Sequence, residues 1–111
     1  MLFRSAQLEI EYTIGRLMCY RTAWFIDQKK AATSQAAMSK AFCTQLAKRL
    51  NDVATRIIGP ASQIMSGSDW APLDADVARC FLWGPSYTLQ GGSVEVLKNI
   101  VAQRGLGLPR S

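Results

Sequence analysis

Between residues 38 and 57 the apolar side chains recur as Met38, Phe42, Leu46, Leu50, Val53 and Ile57, at steps of four, four, four, three and four. An α-helix of about 3.6 residues per turn returns side chains to one face at that spacing, and a strand does not. Thr33 or Ser34 is the expected N-cap, since either hydroxyl can accept a hydrogen bond from a free first-turn N–H. Gly59-Pro60 ends the run, because proline has no N–H to continue the ladder. A helix this long carries an apolar stripe that must be covered, so the rest of the chain is expected to pack against it.

The remaining segments read as helices of unequal length. From about Phe3 to Asp27, the residues Ile10, Ile14, Leu17, Met18, Trp24 and Phe25 share a helical face. Such a helix is about 37 Å long, and Gly15 inside it either costs a little helix stability or marks a close contact with another helix. Lys29-Lys30 form a polar joint before the second helix. Residues 59–73, rich in Gly, Ser and Pro, read as an irregular loop. A shorter helix is expected from Asp74 to Trp83, with Asp74 as its cap, Val77, Cys80 and Phe81 inward, and Gly84-Pro85 as its stop. The last begins after Ser93, runs to about Arg104, and buries Val94, Leu97, Ile100 and Val101. With no alternating segment and no internal repeat, residues 1–111 are expected to form one all-α domain. Its architecture is an antiparallel helical bundle of two long and two shorter helices. Two short helices cannot cover two long apolar faces. Self-association, or a partner helix from another chain, follows from the pattern.

Composition narrows the function. Apolar residues make up 49% and charged residues 19%, which suits a globular chain. No apolar stretch approaches the ~20 residues of a bilayer span. Glu9 and Glu11 interrupt what a signal peptide would keep apolar, so a cytoplasmic setting is expected. There is no histidine, and Cys19, Cys43 and Cys80 are scattered, so neither a zinc site nor a disulfide framework is expected. The usual general base and the usual catalytic triads are excluded with the histidine. The net charge of +5 is spread along the chain, with only Lys29-Lys30 and Lys48-Arg49 adjacent, and specific nucleic-acid binding is not expected.

Few residues then remain for chemistry. Asp74 and Asp76, two apart on a helix, point to different sides and read as cap and first-turn acid. Glu9 and Glu11 have the same spacing and are expected to face water. Arg21, beside Trp24 and Phe25, reads as a snorkelling or paired arginine. Two glycine turns at helix boundaries are left, Arg56-Ile57-Ile58-Gly59-Pro60 and Gly91-Gly92-Ser93. The second reads by itself as ordinary capping, although free N–H groups at a helix start can also hold an anion.

The closing stretch changes the weight of both turns. "GGSVEVLKNIVAQRGLGLPR" resembles the ending of acyl-CoA dehydrogenases, GGTSEIQxNIIAxRxLGLPR. In register, Gly91 and Gly92 match the glycines, Ser93 the threonine, Val94 the serine and Glu95 the glutamate. Asn99 to Ala102, Arg104, and Leu106 to Arg110 match as well. Upstream, Tyr20-Arg21, the Ala-rich joint and Ser39-Lys40 look like the family's paired long helices, and "RIIGPASQ" is similar to its Q-[IL]-L-G-G turn, in the Gly-Pro version of some branches. The resemblance implies a C-terminal helical domain, truncated or separately encoded, of an FAD-dependent enzyme that dehydrogenates acyl-CoA thioesters. It implies that Ser93, Val94 and Glu95 approach FAD, and that Gly92 contacts the acyl-CoA. Arg56, Ile57, Ile58, Gly59 and Pro60 would approach the FAD of a neighbouring subunit. Helix ends with glycine would offer N–H groups to the cofactor's pyrophosphate.

The departures from the family pattern also have consequences. Many members carry the catalytic glutamate where this chain has Gly91, and Gln90 cannot serve as a carboxylate base. Other branches place the base on an earlier helix that is not in this sequence. The N-terminal helical domain, the β-domain over the flavin and the first helix of the C-terminal bundle are not in it either. Ser93 keeps the threonine's hydroxyl, Val94 loses the serine's, and Pro60 lacks an N–H. The expectation is a domain that supports FAD binding and oligomerisation and has no catalytic residue of its own. FAD would bind only with the missing domains or a partner, either a further copy or a larger acyl-CoA dehydrogenase subunit. The alternative is a non-catalytic assembly module that kept the subunit interface and lost its ligand.

Overall fold

Gly15 sets how the two long helices meet. The computed structural model describes residues 2–109. In it α1 (Leu2–Asp27) and α2 (Thr33–Ile58) have 26 residues each, or about 39 Å at a rise of 1.5 Å per residue. A side chain at Gly15 would place its first carbon 3.3 Å from Cys43 Sγ, with Phe42 and Leu46 close behind. Glycine therefore lets the two backbones approach. Above that point Ser39 Oγ donates to the Met18 carbonyl at 3.1 Å and pairs with Thr22 Oγ at 3.0 Å. Below it Arg49 grips Glu11 through two nitrogens, at 2.7 and 3.1 Å. Residue numbers fall along α1 as they rise along α2, so the pair is antiparallel. A Schellman turn makes the reversal: Lys29 is left-handed (φ 53°), and the Lys29 and Lys30 amides bond back to Ile26 and Phe25.

The seam of α1 differs from the face read in the sequence. The residues withdrawn from solvent are Leu8, Glu11, Gly15, Met18, Thr22 and Phe25, at alternating steps of three and four. Of the expected face only Met18 and Phe25 turn inward; Ile10, Ile14, Leu17 and Trp24 are exposed, Ile10 at 62% and Leu17 at 60%. Both stripes have helical period, and the close approach at Gly15 together with the Ser39 and Glu11 contacts selected the less apolar one. Glu11 consequently faces α2 and not water. Arg21 lies over the Phe25 ring, 5.8 Å from its centroid.

Other expectations are corrected as well. The N-cap of α2 is Ala32, without a side-chain bond, while Thr33 and Ser34 lie inside the helix. Ser34 is buried against Gly105, where any side chain would meet its hydroxyl. The loop of residues 59–73 contains a 3₁₀ turn, Gly59–Gln63, and leads into a second, Pro72–Ala75. The shorter helix, α3 (Asp76–Tyr87), starts later and runs through Gly84-Pro85. Pro85 lies near its end and forfeits one ladder bond, while Ser86 and Thr88 hydroxyls bond back to Trp83 and Pro85 carbonyls. Asp74 is left-handed and caps nothing. Cys80 and Phe81 are exposed, and Ala75, Ala78 and Gly84 are buried instead. Asn51 Nδ2 holds α3 to α2 through the Cys80 carbonyl at 2.7 Å.

The last helix follows the sequence reading. α4 (Val94–Ile100) continues into a wider π turn, Val101–Gly105, and Leu97 is buried at 5% exposure. α3 and α4 both pack on α2, so the architecture is an all-α antiparallel bundle of two long and two short helices, with no strand among the described residues. Among the described residues no helix is long and apolar enough to cross a membrane.

The core is thin. Among the described residues the buried apolar ones are Ala37, Leu46, Ala75, Ala78 and Leu97, and no large side chain is fully enclosed. The molecule extends 52 × 27 × 25 Å with a radius of gyration of 17.1 Å, against about 13 Å for a compact chain of this length. Its accessible surface is 7989 Å² at 12.2 kDa, while a compact monomer of that mass exposes about 6,100 Å². The difference, about 1,900 Å², resembles one side of an obligate interface in size.

Candidate functional site

The Gly91-Gly92-Ser93 turn is built by conformation, by a cap and by a lysine. Gly91 (φ 67°) and Gly92 (φ 107°) both have positive φ, and the second value is one that L-residues rarely adopt. Gly92 also seats Leu97, whose Cδ2 lies 3.5 Å from where a Cβ would be. Ser93 is the N-cap of α4, its hydroxyl accepting from the Val96 N–H at 3.4 Å and its carbonyl from the Leu97 N–H at 2.9 Å. Lys40, reaching from α2, donates from Nζ to the Gly92 carbonyl at 2.7 Å. This half-buried lysine ties the turn to the long helix.

Sequence reasoning assigned Lys40 no role. Its signal was present: Lys40 is the one charged residue between Thr33 and Ala47, on a helix otherwise lined there with small, apolar and neutral groups.

The charge at the turn is organised from within. The Glu95 carboxyl is held below the ordinary glutamate range, first by the backbone N–H of Glu95 itself, then by the Ser93 hydroxyl and by Lys98. Ser93 thus accepts from Val96 and lies against the Glu95 carboxyl, and the amides of Glu95, Val96 and Leu97 have partners already. Val94 turns inward, half-buried, into an apolar cleft of about 400 Å³ with Met18, Met38, Phe42 and Val101. Ser93, Glu95 and Gly92 remain near the surface.

The second turn lies at the far end of α2. Gly59 (φ 72°) closes the helix by donating its N–H to the Thr55 carbonyl, and a side chain there would meet nothing within 4 Å. Arg56 is exposed and paired one turn back with Asp52 at 2.9 Å. Ile57 and Pro60 are exposed and Ile58 is half-buried. From Lys40 to Gly59 the helix rises roughly 28 Å at 1.5 Å per residue. One copy therefore does not bring its two glycine turns together.

The model of the acyl-CoA dehydrogenase C-terminal domain matches residues 1–106 of this sequence. The chain belongs to that family. Among solved structures it is similar to the Tcur3481-Tcur3483 steroid ACAD, at 28% identity and a TM-score of 0.89, covering 96% of this chain and 28% of that one. It is similar also to the ChsE4-ChsE5 complex from Mycobacterium tuberculosis, at 26% identity and a TM-score of 0.84, covering 96% and 27%. The chain thus spans just over a quarter of the length of these relatives. No curated protein matches it. Within the acyl-CoA dehydrogenase C-terminal domain, the Gly-Gly-Ser turn sits against the first third of α2, at Lys40, and the Gly59-Pro60 turn at its C-terminal end. Arg110, last in the resembling segment, lies outside the described residues.

The two turns differ in the groups they could hold. The Gly59 turn combines open space over its backbone with the exposed Arg56 guanidinium, which suits phosphate oxygens. At the Gly92 turn the Glu95 carboxylate already occupies the helix start, which disfavours an anion and leaves hydroxyl and backbone groups for neutral polar parts of the cofactor.

Proposed function

We propose that this chain is the C-terminal part of an FAD-dependent acyl-CoA dehydrogenase, supporting the flavin and the assembly while other chain segments supply the base. The observation that carries the reading is the separation of the two turns, roughly 28 Å along one rigid helix. A flavin touched by both must lie between turns of different copies or subunits. Ser93, Glu95 and the backbone of Gly92 would meet the hydrogen-bonding edge of one FAD, with Gly92 beside the acyl-CoA and Val94 backing the turn from the apolar side. Arg56, Ile57, Ile58, Gly59 and Pro60 would meet the FAD of the neighbour, the arginine facing its phosphates. When bound, FAD supplies the acceptor for the hydride that leaves the acyl β-carbon. The base for the α-proton is not assigned to this chain, because Gly91 stands at the family's glutamate position.

The outer stripe of α1 supports the assembly part. Phe3, Ile10, Ile14, Leu17 and Trp24, at steps of seven, four, three and seven, are all exposed on one side of α1. The surplus surface of about 1,900 Å² is enough for an obligate contact with a second copy or a larger subunit. Both solved relatives carry paired names, one of them called a complex. A cytoplasmic setting belongs to the same reading.

Titrating FAD into the chain, alone and with an acyl-CoA dehydrogenase subunit that carries the missing domains, tests this directly. Flavin fluorescence should quench only in the mixture, and acyl-CoA-dependent reduction of an electron acceptor should appear only there. A steroid acyl-CoA is the first substrate to try, since one relative is named for steroids. Robust turnover by the chain alone overturns the division of labour. A stable complex without quenching favours the assembly module, the alternative supported by the self-satisfied amides of Glu95 and Val96.

A further inference from the structure

Two thiols line one cleft beside the α1–α2 seam, away from both glycine turns. Cys43 Sγ lies 4.0 Å from the Gly15 carbonyl oxygen and fills the space that a Gly15 side chain would take. Cys19 stands one turn along α1, and its amide is the ladder partner of that same carbonyl. A helical Cα–Cβ bond leans toward the N-terminus, which carries the Cys19 side chain back over the bare Gly15 turn, toward Cys43. Both cysteines line one cleft of about 340 Å³, with Tyr12, Arg16 and Tyr20 around it. Cys19 is exposed, whereas Cys43 is half-buried. Burial pushes the Cys43 thiol up, and neighbouring Cys19 pushes it the same way.

We propose that Cys19 and Cys43 form an oxidisable dithiol whose product is a disulfide tying α1 to α2. Glycine at position 15 leaves no side chain between the two thiols that line the cleft, and a disulfide needs their Cα atoms about 4.4–6.8 Å apart. With hydrogen peroxide as oxidant, the exposed Cys19 sulfur attacks one peroxide oxygen. The O–O bond breaks, leaving a sulfenic acid on Cys19 and releasing water. The Cys43 sulfur then attacks the Cys19 sulfur, an S–S bond forms, the S–O bond breaks, and the departing hydroxide takes the Cys43 proton as a second water. The two thiols lose two electrons together and the peroxide gains them. Cys80, exposed on α3, is outside the pair. The bond would lock the long helices in a chain whose own core is thin, independently of flavin.

The test is peroxide treatment of the full chain, with thiol counting, intact mass and peptide mapping under non-reducing conditions. Three free thiols should fall to one, the mass should drop by two hydrogen atoms, and the mapped link should join Cys19 to Cys43. The melting temperature should rise and return with dithiothreitol. Cys80→Ser should leave all of this intact, and Cys19→Ser should abolish it. Three thiols surviving treatment, a link through Cys80 alone, or Cys19 carried to sulfinic acid without a link would each overturn the proposal.

Discussion

Replacing Lys40 with methionine keeps the length and apolar stem of the side chain and removes only the donor that holds the Gly92 carbonyl at 2.7 Å. Hydrogen bonds from charged donors contribute about 1.5–3 kcal/mol when buried. Here both partners are half-buried, so water can take over part of the bond, and the cost falls to about 1 kcal/mol. That energy acts on the turn alone, since α2 keeps its own ladder and its contacts with α1. Local opening of the turn should become about five-fold more frequent. Amide hydrogen exchange reads this directly at Val96 and Leu97, whose N–H groups bond to Ser93. These amides should exchange about five-fold faster in Lys40→Met, with Ala47 in the middle of α2 unchanged. Lys40→Arg should restore part of the protection. If the turn amides keep wild-type rates, or if protection falls uniformly along the chain, the tether is not what holds the turn.

Further predictions concern conformation, surface and charge. Gly92→Ala forces a side chain onto φ 107° beside Leu97, and chemical denaturation should show a loss of about 1–3 kcal/mol; a neutral result contradicts the turn geometry. Paired Ile14→Glu and Leu17→Glu substitutions charge the outer stripe of α1 without touching its seam. Sedimentation should show association for the wild type and single chains for the variant, with helix content kept; a wild type that is monomeric at every concentration rules out self-association through that face. The Glu95 carboxyl is depressed in the folded chain, so its stabilising contribution is present above the ordinary glutamate pKa and fades as pH falls through the depressed value. Carboxyl NMR should place its midpoint below that of a free glutamate, and Glu95→Gln should remove this part of the acid sensitivity; a midpoint at or above the free value refutes the pairing with the turn.

The sequence by itself determined the features that are local in the chain. The run from Met38 to Ile57 and the stop at Gly59-Pro60 specify α2, because period and hydrogen-bond loss act within a few residues. Ser93 as a cap follows from the glycines before it and the apolar run after it. The order of residues from Gly91 onward pointed to the family, to which the match over residues 1–106 assigns the chain. Only the tertiary structure decided which stripe of α1 lies inward, since the Leu8–Phe25 and Phe3–Trp24 rows both satisfy a helix. Gly15, Ser39 and the Glu11–Arg49 pair chose between them, through contacts made with another helix. The same holds for α3, which passes Gly84-Pro85 because Gly84 packs against Asn51 and Lys48 of α2. Lys40 was visible as a lone charge, but its partner stands 52 residues away. Propensity and periodicity belong to a segment, whereas burial and tethering belong to pairs of segments, and only the folded chain brings those pairs together.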